Sequence, residues 1–443
     1  MARSCSEDVL SDVLCRLRVK SLKRFQCVCK SWYALIRRPS FVTKHLRFHS
    51  RQNKNNRSFL LSHSLYISYE FPPDERKDTR FSLVHLEETA DDIVFLDWIK
   101  FSDNSKQGKK FPDYWYEYIE VFGPRNGIYC LHESSRDHGH VIALMNVSSR
   151  EFKLVPKPEE SIISHTGFRS PAAVEIGFDP KTNDYKVFFF KDCSFLKEGY
   201  CQAAVYHLNS NSWKKLSDPL LDHAYLYSLQ DFNTDTYVNR NVHWLAFEPD
   251  HAGHCCGWYI LSFDMVGEVL AKIELPADLR IYCDETLYVV AVFNESLSLI
   301  VYPRTPDRLR RERSYTKCFD IWVMKDYGNE RSWTKEFTTG PVEDADRLLG
   351  IWRNGEFLIK HKNGYTISYD PVTQKMEQLC FGEGLYLNKS CIYSESLVSV
   401  TGNAPSDYEI VVEDFPLVVT PDIIERILDN IEKCPSCTRL SSD

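Results

Sequence analysis

VIALMNVSSREFKLVP, residues 141–156, reads as an apolar strand, a polar turn of Asn and Ser, and a second strand that ends at Pro156. This is the hairpin pattern, with residues that suit a pleated surface on both sides of a turn. It returns in AAVYHLNSNSWKKLS (203–217), YILSFDMVGEVLAKIELP (259–276), DIWVMKDYGNERSWTKEF (320–337) and YTISYDPVTQKMEQL (365–379). Shorter strand patterns lie between, among them VEIGFDPKTNDYKVFFF (174–190) and NRNVHWLAF (239–247). The units recur at about 50 to 60 residues, the range of propeller blades. A four-stranded blade has an apolar face on each side and buries both only by stacking on neighbours, and closing the ring protects strand edges. The paired glycines of kelch repeats and the Trp-Asp ending of WD repeats are absent. The expectation is therefore a mainly β chain with a degenerate, kelch-like β-propeller, and a two-sheet sandwich assembly is the alternative.

Composition agrees. The 443 residues are 43% hydrophobic and 13% aromatic, enough apolar surface for a sizeable core and a lean toward strands. The first residues, MARSCSEDVL, reach Glu7 and Asp8 at once and lack the apolar run of a secretory signal. No stretch approaches the roughly 20 apolar residues of a membrane span. Fifteen scattered Cys without a signal are then expected to be reduced thiols, and the expected location is cytoplasmic or nuclear.

Charge is unevenly shared. Of 54 Lys and Arg and 62 Asp and Glu, residues 1–50 hold 11 and 3, so the remainder carries 43 against 59. An acidic body steers basic partners toward it and disfavours nucleic acid.

The basic N-terminal part has helical spacing. Val9, Leu10, Val13, Leu14 and Leu17 fall on one helical face, with Ser6 as N-cap and Glu7 and Asp8 in the first turn. A second pattern holds Leu22, Phe25 and Val28, and a third runs from Ser31 to Ile36 before Pro39. Three short helices cannot bury this much apolar surface alone, CVCKSWYALIRRPSF (27–41) least of all, so part of it is expected to meet another domain or a partner.

These residues carry a resemblance. Arg16-Leu17, Val19-Lys20-Ser21-Leu22, Arg24-Phe25, Cys27-Val28, Lys30-Ser31-Trp32-Tyr33, Leu35-Ile36 and Pro39-x-Phe41 make the chain similar to a plant F-box. Gly123–Leu131, Met145–Pro156, Ile176–Val187, Val205–Leu216 and Asn241–Ala246 likewise resemble motifs of the F-box-associated domain that follows it. The nearest overall texture is that of S-locus F-box proteins and their S-locus-like relatives. The resemblance implies an F-box at 1–48, a linker at 49–57, a propeller-like F-box-associated domain at 58–415, and a C-terminal helix and tail at 416–443. It implies docking on a Skp-type adaptor, and through it a cullin, with Leu10, Leu14, Leu17, Val19, Leu22, Val28 and Trp32 at adaptor-facing and core positions. It further implies a non-catalytic substrate receptor of a ubiquitin ligase that promotes ubiquitination of a protein target, with S-RNase in pollen self-incompatibility as the narrower expectation. Arg18 stands where the family has Pro, which is expected to lower adaptor affinity.

Chemistry is sparse in the rest of the sequence. His251, His254, Cys255 and Cys256 lack a second ligand pair at metal spacing, and Cys434 and Cys437 lie in a polar tail without a redox setting. The basic run RLRRER (308–313) is brief and lies in an acidic body. VTPDIIERILDNIEK (419–433) reads as an amphipathic helix that docks on the body. No cofactor, metal, nucleic acid or membrane partner is expected. The alternatives are an F-box receptor for an unrelated target, or a propeller enzyme or carbohydrate-binding protein with a helical cap, in which His207 and His243 would gather with carboxylates in a central funnel.

Overall fold

The computed structural model describes residues 7–52, 58–65, 79–86, 93–102, 119–135, 139–163, 172–191, 201–222, 225–226, 236–249, 255–279, 286–303, 315–351, 355–379, 385–401 and 408–414. Ser6, RLRRER, His251, His254, the helix read at 419–433 and the pair Cys434 and Cys437 lie outside them.

The N-terminal unit holds α1 (Glu7–Leu14), α2 (Val19–Phe25), α3 (Lys30–Arg37) and α4 (Pro39–Gln52). That is one helix more than the sequence patterns suggest. α3 does end before Pro39, because Arg38 takes the extended ψ of 130° that a following proline demands. Pro39 then opens α4, where a fixed φ and a missing N–H suit the first position. The helix runs past the expected linker start at residue 49. The inward residues Leu14, Val19, Leu22, Leu35, Ile36 and Phe41 form one small core, completed by Leu397 from the far end of the chain.

His45 is fully buried on α4, its Nε2 lying 3.0 Å from the Leu17 carbonyl oxygen. Burial pushes its pKa down to about 4. A histidine held neutral in the fold and protonated near pH 6.5 when unfolded favours the folded state above that pH, and the advantage is lost as pH falls toward 4. Thermal unfolding of the helical unit is therefore expected to shift down between pH 6.5 and 4. His45→Gln, which still donates to Leu17, flattens that dependence.

The other described elements are strands, apart from three short 3₁₀ turns at Pro219–Asp222, Ala277–Leu279 and Glu330–Ser332. β1 (Ser58–Leu65), β2 (Thr79–Leu86) and β3 (Ile93–Ser102) come first, then β4 (Ile119–Arg125), β5 (Ile128–Ser135), β6 (Gly139–Asn146) and β7 (Glu151–Leu154). β8 (Ala172–Asp179), β9 (Asp184–Lys191), β10 (Gln202–His207) and β11 (Ser212–Leu216) form the next group, followed by β12 (Tyr225–Leu226), β13 (Asn241–Pro249), β14 (Cys255–Asp264) and β15 (Val269–Glu274). β16 (Thr286–Phe293), β17 (Ser296–Pro303), β18 (Thr316–Met324) and β19 (Trp333–Glu343) precede β20 (Ala345–Ile351), β21 (Phe357–His361), β22 (Thr366–Tyr369) and β23 (Met376–Leu379). β24 (Leu385–Ile392) and β25 (Tyr408–Asp414) end the described chain.

They make five antiparallel sheets: four of four strands, and one of nine in the order β24-β1-β2-β3-β25-β7-β6-β5-β4. In the nine-stranded sheet, β25 joins two four-strand wings. One wing pairs β24, from the end of the chain, with β1 near its start, so the ring is closed by hydrogen bonds across distant sequence. Neighbouring sheets meet in turn around the ring, β4 against β8, β8 against β13, β13 against β16, and β20 against β24, which returns to β4. This is the mainly β propeller behind N-terminal helices that the sequence implied.

The run Asp184–Lys191, DYKVFFFK, shows why the blades stack. Every residue of β9 is buried, and alternation sends Val187 and Phe189 to one face and Phe188 and Phe190 to the other. Phe188 packs at 4.5 Å from Trp244 and 4.8 Å from Phe263 on the next sheet, while Phe189 joins Leu144 and Ile176 on the other side. Each buried Phe contributes about 1.5–3 kcal/mol by removal from water.

Several of the turns that lead into a second strand are tight. Asn126-Gly127 (φ 52° and 80°), Asn239-Arg240 (50° and 67°) and Asn294-Glu295 (48° and 61°) put two left-handed residues in a row, which matches the right-handed twist of the hairpin.

Candidate functional site

The helical unit sits on the propeller face that carries these tight turns. A cleft of about 740 Å³ separates α2, α3 and α4 from the turns around Asn126, Asn183 and Asn209. Ile36, Val42 and Leu46 line one wall, Phe178 and Leu208 the other. In an antiparallel meander, the other two connections of each blade emerge on the opposite face. That face receives the described segments 155–163 and 275–279, which follow β7 and β15.

The structure divides the seven residues singled out for adaptor binding. Leu14, Val19 and Leu22 are fully inward and hold the helices together. Leu10, Leu17 and Trp32 are half-buried against that core, Trp32 edge-on to Phe25 with ring centroids 5.5 Å apart. Val28, in the turn after α2, is 59% exposed.

Three further apolar side chains face outward: Val9 (51% exposed), Val13 (56%) and Tyr33 (47%). The sequence had grouped Val9 and Val13 with Leu14 on one helical face. That arc is wider than a four-helix core can cover, so the structure splits it, turning Leu14 inward and the two valines, one turn apart, outward. The Arg37 guanidinium lies over the Tyr33 ring at 5.3 Å. α1 is fastened to α3 and α4 by Arg38–Glu7 and Lys44–Asp12 ion pairs, with Lys44 also 3.2 Å from the Ser11 hydroxyl. Lys44 holds the Asp12 carboxyl below its usual range. The outward apolar residues thus sit on helices braced against one another by surface ion pairs.

Arg18 caps the start of α2 with φ −64° and ψ 150°, a backbone geometry a proline would adopt, and its own side chain makes no capping bond. The Val19 N–H is instead satisfied by the Glu395 carboxylate at 2.9 Å, and Arg18 Nε lies 4.0 Å from the same group. No sequence signal points to Glu395, because 376 positions separate it from Val19.

His243 is fully buried, with Nδ1 2.6 Å from the Thr236 carbonyl and Nε2 2.8 Å from the Tyr327 hydroxyl, and burial pushes its pKa down to about 4. His207 lies between Asp184 (3.2 Å) and Glu268 (3.2 Å), in a set that Lys186 and Lys214 also enter. The two histidines belong to separate hydrogen-bond sets that tie strands together. Among the described residues, no group of three or more His, Cys, Asp or Glu is placed to hold a metal ion, and no helix is long and apolar enough to cross a membrane.

Comparison with known proteins adds two family matches. Residues 4–44 match the F-box domain, and residues 114–403 match the F-box associated beta propeller domain. An F-box protein of Arabidopsis thaliana is 25% identical over 416 residues, covering 85% of this chain and 88% of the relative. The F-box protein CPR1 of Arabidopsis thaliana is 25% identical over 347 residues, covering 75% and 72%. An F-box/kelch-repeat protein of the same plant is 21% identical over 366 residues, covering 81% and 86%.

Proposed function

Since this chain belongs to the F-box proteins that carry an F-box-associated β-propeller, we propose that it is the non-catalytic substrate-recognition subunit of a Skp–cullin–F-box ubiquitin ligase. The observation that carries this reading is the outward set Val9, Val13, Val28 and Tyr33, with half-buried Trp32, on a braced helical unit. Exposed apolar side chains of that kind mark a protein interface, and Trp and Tyr are the residue types that dominate binding energy at such surfaces. Leu14, Val19 and Leu22 keep the scaffold in shape, and Leu10, Leu17, Val28 and Trp32 join the contact. A receptor needs no chemistry of its own; it raises the local concentration of a target beside a charged enzyme.

The target surface in this reading is the propeller face turned away from the helical unit. Loops on a rigid scaffold are the usual carriers of recognition. Working location is cytoplasmic or nuclear in this reading.

For the target itself, the acidic balance beyond residue 50 favours a basic protein, and S-RNase is the one to test first. Capture of pistil S-RNases by the full chain, repeated across a salt series, tests this. Binding that weakens with salt supports it. Failure to bind any of them, while the Skp-type adaptor still binds, removes S-RNase and leaves the receptor. A catalytic or sugar-binding propeller is disfavoured by the way His207 and His243 are tied into separate structural sets.

A further inference from the structure

We propose that the strap Tyr393–Thr401 locks the helical unit onto the propeller, with Glu395 and Leu397 as positioning residues that hold the adaptor-facing and target-facing surfaces at one separation and one angle. The purpose of that fixed geometry rests on the receptor reading; the lock itself does not.

The strap has no helix or strand of its own, yet the propeller holds it at nearly every step. Tyr129 Oη donates to the Ile392 carbonyl at 3.0 Å, and the Ser148 and Tyr393 hydroxyls pair at 3.1 Å. The buried Asn146 amide donates to the carbonyls of Ser396 (3.1 Å) and Val398 (2.7 Å). The Ser396 N–H donates to Ser148 Oγ at 3.1 Å, and the Val400 N–H donates to Glu151 Oε2 at 2.9 Å. Gly127 lies flush against it. A Cβ there would stand 2.4 Å from Ser396 Cβ and 2.8 Å from the Ser394 carbonyl, and its φ of 80° already disfavours any side chain.

From the other side, the helical unit closes on the same strap. Leu397, 7% exposed, sits among Leu14, Val19, Leu22 and Leu35. Glu395 Oε2 accepts the Val19 N–H, one of the orphan donors at the start of α2, and Glu395 Oε1 faces Arg18. Glu151 binds both partners at once, Oε1 to Lys23 at 2.9 Å and Oε2 to the strap at Val400. Short polar bonds on one side, a buried leucine on the other and one shared carboxylate leave little freedom for the two units to pivot. Arg18 keeps the extended backbone that a proline would adopt, and the Glu395 carboxylate lies 4.0 Å from its Nε.

In a ligase, transfer depends on where the target's lysines stand relative to the charged enzyme, so a rigid link restricts which lysines are reached. The test uses the full chain with spin labels on unnatural residues at positions 20 and 295, one on each unit. The native protein should give one narrow distance distribution. Glu395→Ala and Leu397→Ser should each widen it at least about twofold, while Glu395→Gln, whose amide oxygen still accepts from Val19, keeps it narrow. Leu397→Ser can fail to fold because it hollows a core; Glu395 is partly exposed, so Glu395→Ala remains the deciding variant. In a reconstituted ligase, Glu395→Ala should leave adaptor affinity within about twofold and spread self-ubiquitination over more lysines. A broad native distribution, or a Glu395→Ala distribution as narrow as the native one, overturns the lock. Loss of adaptor binding by the native chain would instead defeat the receptor reading and leave the distance measurement to decide the lock.

Discussion

Val28→Asp is expected to weaken adaptor binding by about 30-fold or more, the effect of losing one strong contact of about 2 kcal/mol at an interface centre. Val28 is 59% exposed and absent from the helical core, so the folded unit has nothing to lose from the change. A carboxylate placed there must be desolvated on docking, whereas the valine contributes its area. Trp32→Ala should weaken binding to a similar extent, with a second effect: its ring is packed edge-on to Phe25, so the variant also lowers the melting temperature. Leu22→Ala reverses the emphasis. Its side chain is wholly buried, so the expected cost is about 2–5 kcal/mol of stability, with binding falling as the unit unfolds. Calorimetric titration of a Skp-type adaptor into each variant, with circular dichroism melts alongside, separates the two patterns.

Lys186→Ala is expected to destabilise the propeller by about 3–5 kcal/mol near neutral pH, because removing one partner of a buried ion pair strands the others. Lys186 is 3% exposed, and its three donors are all used: Asp179 Oδ2 at 3.1 Å, Glu268 Oε1 at 2.8 Å and the Met265 carbonyl at 2.6 Å. Asp179 closes the β8–β9 turn through Thr182, and Glu268 lies in the β14–β15 turn, so this ammonium joins neighbouring sheets. Burial pushes both carboxyls up, but hydrogen bonds outweigh it and leave each below its usual value: from Thr182 and Lys186 to Asp179, and from Lys186 and Lys214 to Glu268. Carboxyls so depressed stabilise the fold above their unfolded pKa near 4, and the contribution is lost as pH falls through the folded values. Burial pushes the Lys186 ammonium down, but its carboxylate partners raise it above its usual value, so its contribution persists below about pH 10.5 and is lost above. The native protein should therefore lose stability below about pH 4, and Lys186→Ala should be less stable throughout and flatter across that acid limb. Urea unfolding at a series of pH values measures both. Lys186→Ala combined with Glu268→Gln should recover part of the loss by removing one stranded charge.

Much of this fold is legible in local sequence. The hairpins at 141–156 and 203–217 announce themselves by alternation around Asn and Ser, and both are found as β6–β7 and β10–β11. The triple Phe of β9 is informative for the opposite reason: no alternation survives where both faces are covered. What local pattern does not carry is closure. The β1–β24 pairing joins positions more than 300 apart, and nothing in either strand names its partner. Pro39 misleads in a small way, because the residue that ends one helix is also the best one to begin the next.

The site was half legible. Motif resemblance located the helical unit and its apolar residues, but periodicity assigns a face without saying whether core or solvent meets it. Val13 and Leu14 are neighbours in sequence and opposites in exposure. Glu395 and Leu397 were invisible, because their meaning comes wholly from contacts with the N-terminal helices.

The most direct test is calorimetric titration of the folded full-length chain with a purified Skp-type adaptor. Saturable one-to-one binding, abolished or weakened at least about 30-fold by Val28→Asp without a change in melting temperature, is the predicted result. A folded chain that binds no adaptor, or that binds it equally well with Val28→Asp and Trp32→Ala, would contradict the assignment of this surface.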